Sequence, residues 1–200
     1  MTATGTTPEL RTMEPGDVAR VVELQRAFLQ GSIVTELGPS FLTAFHRAAL
    51  AHPATRAFVV IDAADVTGFA VASTDVTAFN AHVKPRVVWP LAQALVSPRG
   101  IRLGVGIARS LVEAKPEPYM AAELLLLVVD ARLRRRGIGH RLVAALDAAF
   151  ARDGVSDYRV AVRSQLVAAR AFYLALGFRP EQELTVLGHP MTYLTKRVAG

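Results

Sequence analysis

Hydrophobic and polar positions along the first third of the chain predict alternating strands and helices. Leu10–Met13 forms a short strand candidate, and apolar residues then recur at helical intervals from Val18 to Phe28 and from Phe41 to Leu50. Two β-prone runs at 58–61 and 66–72 flank a short polar segment, which predicts a hairpin. A glycine inside the second run, Gly68, indicates a bulge or a close backbone approach.

The pattern becomes more regular after residue 121. A buried strand at Leu124–Val129 precedes a helix whose apolar stripe falls on every fourth residue: Ile138, Leu142, Leu146 and Phe150. Alternation from Tyr158 to Val162 predicts a strand, and Val167–Leu176 predicts a helix that ends at Gly177. Two closing strands are expected at 184–187 and 191–196. The succession predicts an α/β fold with a mixed sheet.

Residues 75–118 have the least regular pattern, because five prolines interrupt them. Helices are predicted there at 87–95 and 101–112. The polar residues 1–8 predict a flexible N-terminal tail, so we expect a single domain over residues 9–198.

Composition excludes several classes of protein. The longest dense apolar run, 124–129, is far shorter than the ~20 residues of a membrane span, and the N-terminus has no apolar signal core. We therefore expect a cytoplasmic protein with no membrane partner. The absence of cysteine excludes disulfides, thiolate metal sites and a cysteine acyl-enzyme. The five histidines lack HExxH spacing, so no metal is expected.

The net charge of +6 raises the question of a nucleic-acid partner. The densest basic cluster, Arg132 with Arg134–Arg136, lies in one loop between a strand and a helix. A specific site in that loop explains the cluster better than a nucleic-acid surface does. We therefore expect no nucleic-acid partner, and a basic nucleic-acid binder stays a rival interpretation.

The loop 129–139 combines three features that suit a pyrophosphate. Gly137 and Gly139 offer no side chain to block a ligand. The first turn of the following helix has unpaired N–H groups and the positive end of the helix dipole, where phosphate binds well. Arg134–Arg136 add forked, charged donors.

Two other phosphate-binding motifs fit this loop less well. A dinucleotide fingerprint needs a third glycine, but that position is Leu142. A P-loop needs Gly-Lys-Ser/Thr, which is absent from the loop.

The loop resembles the acetyl-CoA motif of the GNAT superfamily, which reads (Arg/Gln)-x-x-Gly-x-(Gly/Ala) after a strand. The matching residues run from Arg134 to Gly139. A second stretch, Ala169-x-x-Phe172-Tyr173-x-x-x-Gly177-Phe178, is similar to the superfamily's next motif. The resemblance covers roughly residues 9–198. It implies a mixed, mostly antiparallel sheet of six to seven strands, flanked by helices and splayed at the cofactor-binding strand.

The resemblance also implies which residues bind acetyl-CoA. In such enzymes, freed backbone groups of the splayed strand hold the pantetheine arm. The positions here are Leu127, Val128 and Val129. The pyrophosphate would lie on the loop that follows, formed by Arg134, Arg135, Arg136, Gly137, Ile138 and Gly139.

The resemblance implies two catalytic residues. Tyr173 would protonate the leaving thiolate, since the pKa of a phenol, near 10, is close to that of a thiol of this kind. Glu123 would act as general base, usually through water, because an amine must lose a proton before it attacks. Alternatively, Tyr173 is a half-buried aromatic residue of the core, and Glu123 is a carboxylate on the surface.

One position departs from the family's pattern. An asparagine usually stands three residues before the alanine of the second motif, and here Leu166 occupies that place. The adjacent Gln165 is expected to point elsewhere. The departure puts one contact to the cofactor in doubt and leaves the class unchanged.

The predicted function is N-acetyl transfer from acetyl-CoA to a primary amine, by direct attack in a ternary complex. A sensor that binds acyl-CoA without turnover is the alternative from another class. The acceptor is expected to be a small-molecule amine or a protein amine, and the sequence does not distinguish them. A homodimer is left open.

Overall fold

The computed structural model describes residues 8–96, 120–186 and 188–198. Within these ranges the chain forms one seven-stranded sheet in the order β1-β2-β3-β4-β5-β7-β6. Only β4 and β5 pair in parallel, and every other neighbouring pair is antiparallel. The mixed, mostly antiparallel sheet of the sequence prediction is confirmed. The strands are β1 Glu9–Thr12, β2 Thr55–Asp62, β3 Asp65–Ser73, β4 Glu123–Val129, β5 Asp157–Arg163, β6 Arg179–Val186 and β7 His189–Arg197.

Helices flank this sheet on both faces. They are α1 Val18–Phe28, α2 Ile33–Glu36, α3 Pro39–Leu50, α4 Val76–Val96, α5 Ile138–Arg152 and α6 Val167–Ala175. Short 3-10 turns at Pro15–Asp17 and Ala131–Leu133 precede α1 and α5. Among the described residues, no helix is both long and apolar enough to cross a membrane.

Alternation along the strands divides the apolar side chains between two cores. In β2, Val59 packs with α1, α3 and α4, whereas Val60 packs with α5 and α6. In β5, the residues Tyr158, Val160 and Val162 all belong to the second core. The sheet therefore has an α1 face and an α5 face, which we name by these helices.

Two bulges shape the centre of the sheet. In β3 the register shifts so that Thr67 has no partner in β2, and Gly68 follows it. A Cβ atom on Gly68 would lie 2.9 Å from Ile138 Cγ2, so α5 approaches β3 too closely for a side chain. Both meanings of the glycine in this run, a bulge and a close approach, are confirmed.

The second bulge is in β4. Val71 pairs with Leu126 and Ala72 with Leu124, which leaves Leu125 as the extra residue. A bulge bends its strand and increases the local twist. Beyond this point β4 leaves β5, because the two strands pair only at Glu123 with Arg159 and at Leu124 with Val160. The splay expected at the cofactor strand is present.

Three elements differ from the sequence-based expectation. One helix, α4, continues through Pro85 and Pro90, although a helix was predicted only over 87–95. The short helix α2 was not predicted, and β6 begins at Arg179 instead of 184. The helix predicted at 101–112 and most of the predicted tail lie outside the described residues.

Candidate active site

A cavity of about 980 Å³ opens where β4 separates from β5. It passes through the sheet, because its lining comes from both faces. Phe28 and Leu29, at the end of α1, line it on one face, and the ends of α5 and α6 line it on the other. The splayed strand contributes Leu127, Val128 and Val129. A single continuous space therefore connects the two sides of the molecule at the splay.

The loop that leads from β4 to α5 is anchored by Asp130. This carboxylate is 2% exposed. It accepts hydrogen bonds from the Arg132 backbone N–H at 2.9 Å and from Arg132 Nη2 at 2.6 Å. The hydrogen-bonded guanidinium lowers the pKa of Asp130, so the carboxylate stays ionised. Arg132 thus stabilises the loop itself, although sequence reasoning grouped it with the arginines that follow.

The next three arginines are not paired with a carboxylate of the described residues in this way. Arg134, Arg135 and Arg136 are exposed, and among the residues that the structure describes none of them forms a salt bridge. Arg134 and Arg135 line the cavity, whereas Arg136 is not among its lining residues. Arg135 adopts a left-handed conformation with φ of 64°. The cavity therefore has positive charge at the N-terminus of α5, which suits an anion.

The two glycines of the loop serve different purposes. Gly137 has φ of 76° and a Cβ atom there would meet nothing within 4 Å, so the left-handed turn and the open space both depend on it. A Cβ atom on Gly139 would lie 3.0 Å from Phe172 Cζ. Gly139 is therefore small because α6 packs against α5 there. Both glycines line the cavity, and that they leave room for a ligand stays a prediction.

Tyr173, in α6, lies among aromatic rings beside the cavity. It is 7% exposed, and its ring contacts those of Phe172 and Phe178 at centroid distances of 5.1 and 5.2 Å. Its hydroxyl makes no hydrogen bond to any residue in the described part of the chain. Burial raises the pKa of Tyr173 above its ordinary value of 10. The phenol thus remains protonated at neutral pH and has a proton to donate.

Glu123 lies at the closed end of the gap, where β4 still pairs with β5. Its Oε2 accepts a hydrogen bond of 2.7 Å from Arg159 Nε, and the two side chains are 13% and 6% exposed. Arg159 also lies 5.0 Å from the Tyr193 ring centroid. Because Leu124 faces α5, the alternation places Glu123 on the α1 face. The sequence did not indicate this ion pair, since the two residues are 36 positions apart.

The start of α6 forms another part of the lining. Leu166 is the N-cap residue and makes no capping hydrogen bond with its side chain. Gln165 lines the cavity together with Leu166. Further lining residues that sequence reasoning missed include Phe28, Leu29, His140 and Phe172. They come from separate elements, and only the last belongs to a motif that the sequence singled out.

The comparison with protein families shows which family part of the sequence is similar to. Residues 104–193 match the family model described as the acetyltransferase (GNAT) domain. Over that range the chain is similar to a GNAT acetyltransferase domain. The resemblance found in the sequence and the expectation of an acyltransferase are therefore confirmed. No curated protein matches the sequence significantly.

Solved structures with the GNAT fold cover nearly all of the chain. The Escherichia coli ribosomal-protein-S18-alanine N-acetyltransferase is 13% identical, with a TM-score of 0.62 over 97% of this chain and 96% of that one. The structure of SsHAT is 22% identical, with a TM-score of 0.67 over 98% and 100%. PaiA N-acetyltransferase from Thermoplasma acidophilum, in complex with coenzyme A, is 13% identical, with a TM-score of 0.59 over 96% of this chain and 99% of that one. At these identities the likeness concerns the fold.

Proposed function

We propose that the chain transfers an acetyl group from acetyl-CoA to a primary amine by direct attack in a ternary complex. The observation that supports this most strongly is the cavity through the splayed sheet, with a basic helix N-terminus at one end and a protonated tyrosine in its wall. A site of this form can hold a long, anionic cofactor on the α5 face. An acceptor then reaches the thioester from the α1 face.

The candidate cofactor residues fit acetyl-CoA in their chemistry. Leu127, Val128 and Val129 lie where β4 no longer pairs with β5, so their backbone groups on that side are available to the pantetheine amides. The N-terminus of α5, with Arg134 and Arg135, suits the pyrophosphate. When bound, acetyl-CoA supplies the activated acyl group, and the residues of this chain bind it and position it.

The proposed reaction makes one bond and breaks another. The amine nitrogen attacks the thioester carbonyl carbon, the carbon–sulfur bond breaks, and the thiolate leaves with its electron pair. Tyr173 gives that sulfur a proton, or a hydrogen bond that stabilises its charge. Glu123 is proposed to accept the proton of the amine through water. Arg159 holds this carboxylate in place at the closed end of the gap.

Release of free thiol from acetyl-CoA tests the function directly. The protein has no cysteine, so a thiol reagent detects only product. The panel contains small amines, aminoglycosides and peptides with a free N-terminus, and product mass is confirmed for each positive. Turnover with any amine supports the proposal. Tight binding of CoA without release of thiol from any amine would favour the sensor instead.

A further inference from the structure

Arg163, the last residue of β5, connects two walls of the cavity that belong to distant parts of the chain. Tyr158, Val160 and Val162 pack on the α5 face, so alternation directs Arg163 to the α1 face. From there its Nη2 donates a hydrogen bond to the backbone carbonyl of Gly31. The contact spans 132 positions of sequence.

Gly31 is held from both sides. Its carbonyl accepts the bond from Arg163, and its N–H donates to Glu36 Oε1 at 3.1 Å. Its φ of 76° is a left-handed conformation that favours glycine. Two charged side chains thus fix one backbone unit in the loop between α1 and α2.

The residues beside each end of this contact line the cavity. Phe28 and Leu29 precede Gly31, and Gln165 and Leu166 follow Arg163. The bond therefore fastens the α1-face wall to the wall formed by the β5–α6 loop. Within the described residues, Arg163 forms no salt bridge, so the Gly31 carbonyl is the contact that orders its guanidinium.

We propose that Arg163 is a positioning residue for the acceptor, because it holds the loop of residues 29–32 across the open end of the gap between β4 and β5. This rests on the proposed function, in which the acceptor enters from the α1 face. Loss of the contact frees the wall that carries Phe28 and Leu29. The cofactor cradle at Gly137 lies on the α5 face and does not depend on this contact.

Hydrogen exchange of the backbone amides tests the contact without any need for turnover. The variants are Arg163→Met, Arg163→Lys and a control, Arg152→Met, which removes an arginine that donates to the Ala148 carbonyl at 3.2 Å on the exposed side of α5. We expect the amides of Gly31 and Glu36 to exchange about tenfold faster or more in Arg163→Met, the size of a lost charged hydrogen bond. Arg163→Lys, which keeps one donor, restores much of the protection, and Arg152→Met changes nothing there.

Steady-state kinetics with the best amine of the panel tests the role. Arg163→Met is expected to raise the acceptor KM about tenfold, with kcat changed less and the Kd for CoA within twofold of wild type. Unchanged exchange at residues 29–36 would overturn the contact. If the Kd for CoA and the acceptor KM rose by the same factor, the positioning role would be overturned. If wild type released no thiol with any amine, the proposed function would fail and the acceptor role with it, whatever the exchange data show about the contact.

Discussion

At the scale of single residues, Gly137 allows the sharpest test of the cofactor cradle. Valine at Gly137 would strain a left-handed turn and place methyl groups at the N-terminus of α5. Gly154, at the end of the same helix and outside the cavity lining, has φ of 72° and equally open surroundings, so Gly154→Val is a matched control. We expect both variants to lose roughly 1–3 kcal/mol of stability. Only Gly137→Val should weaken CoA binding, by about tenfold or more, measured by calorimetry.

CoA affinity equal to that of wild type in both variants would remove the cradle from the account. Equal weakening would show that strain in the helix, and not the open space at its N-terminus, governs binding. Either result is interpretable because the backbone conformations of the two glycines match.

A second prediction concerns Glu123 as the base. Glu123→Gln should lower kcat/KM for the acceptor and flatten the acid limb of its pH profile, because the amide cannot take up a proton. The change also disturbs a part-buried ion pair, so Asp147→Asn serves as control. Asp147 accepts a bond of 2.6 Å from Lys196 Nζ and lies beside Tyr158 of the α5-face core, whereas Glu123 is on the α1 face; neither carboxylate is among the lining residues of the cavity. A wild-type pH profile in Glu123→Gln would assign Glu123 to the stability of the β4–β5 junction.

A third prediction concerns His46, a fully buried residue of α3 that faces α1. Its Nε2 lies 2.7 Å from Gln25 Oε1, and its Nδ1 has no partner in the described structure. Burial lowers the pKa of His46 from 6.5 to about 4. Below pH 6.5 the imidazole is therefore protonated in the unfolded chain and stays neutral in the folded one. The free energy of unfolding falls as the pH drops from 6.5 towards 4.

Between pH 7 and pH 5, protonation of this histidine in the unfolded chain should lower the free energy of unfolding by about 2 kcal/mol. Denaturant titrations of wild type and His46→Gln at several pH values give the free energy of unfolding of each protein. The slope of this free energy against pH is then compared between the two proteins. The variant is expected to be less stable at pH 7 but less dependent on pH. Parallel slopes would mean that His46 is protonated in the folded protein at pH 5.

At the scale of elements, the N-terminus of α6 is incomplete. Leu166 occupies its N-cap, is 45% exposed and makes no capping bond. We expect Leu166→Asn to raise the unfolding free energy by about 1 kcal/mol, because the amide oxygen can accept from a free N–H of the first turn. Leu166→Ala, which cannot cap, is the control, and thermal unfolding is the measurement. Lower stability of the asparagine variant than of the alanine variant would contradict the capping argument.

The sequence predicted those elements whose burial pattern is local. The hairpin of β2 and β3, the strand β4 and the helix α5 each carry a clear apolar period, and the loop at Gly137 is a contiguous motif. β6 lacks such a period because most of its side chains are exposed at the sheet edge. α4 continues through Pro85 and Pro90 because Phe79, Val83 and Val87 pack into the core of the α1 face, and this outweighs the lost hydrogen bonds.

The same distinction applies to the site. The cradle could be predicted because its parts are adjacent in sequence. The wall at Phe28 and Leu29, the ion pair of Glu123 with Arg159 and the contact of Arg163 with Gly31 could not, because tertiary structure alone brings their partners together. The acceptor side of the cavity is built from such long-range contacts, which explains why the sequence favours a class of reaction and leaves the amine open.

At the scale of the whole molecule, the two faces of the sheet divide the proposed chemistry. The cofactor cradle and Tyr173 belong to the α5 face, and Glu123 and Arg163 belong to the α1 face. The gap between β4 and β5 is the passage between them. This division predicts that changes on the α1 face alter acceptor kinetics while CoA binding is retained.

Replacement of Tyr173 tests the central claim most directly, because it separates transfer from binding. Tyr173→Phe keeps the ring that packs on Phe178 and removes only the hydroxyl. The control is Tyr158→Phe, whose hydroxyl donates to Asp147 Oδ1 at 2.8 Å, outside the cavity lining, while its ring packs on the same phenylalanine. Steady-state kcat with the best amine and the Kd for CoA are measured for both variants. We expect Tyr173→Phe to lose roughly 10²–10⁴ in kcat with a Kd within a few-fold of wild type, and Tyr158→Phe to retain its turnover. Wild-type turnover in Tyr173→Phe, or an equal loss in kcat and CoA affinity, would contradict the account.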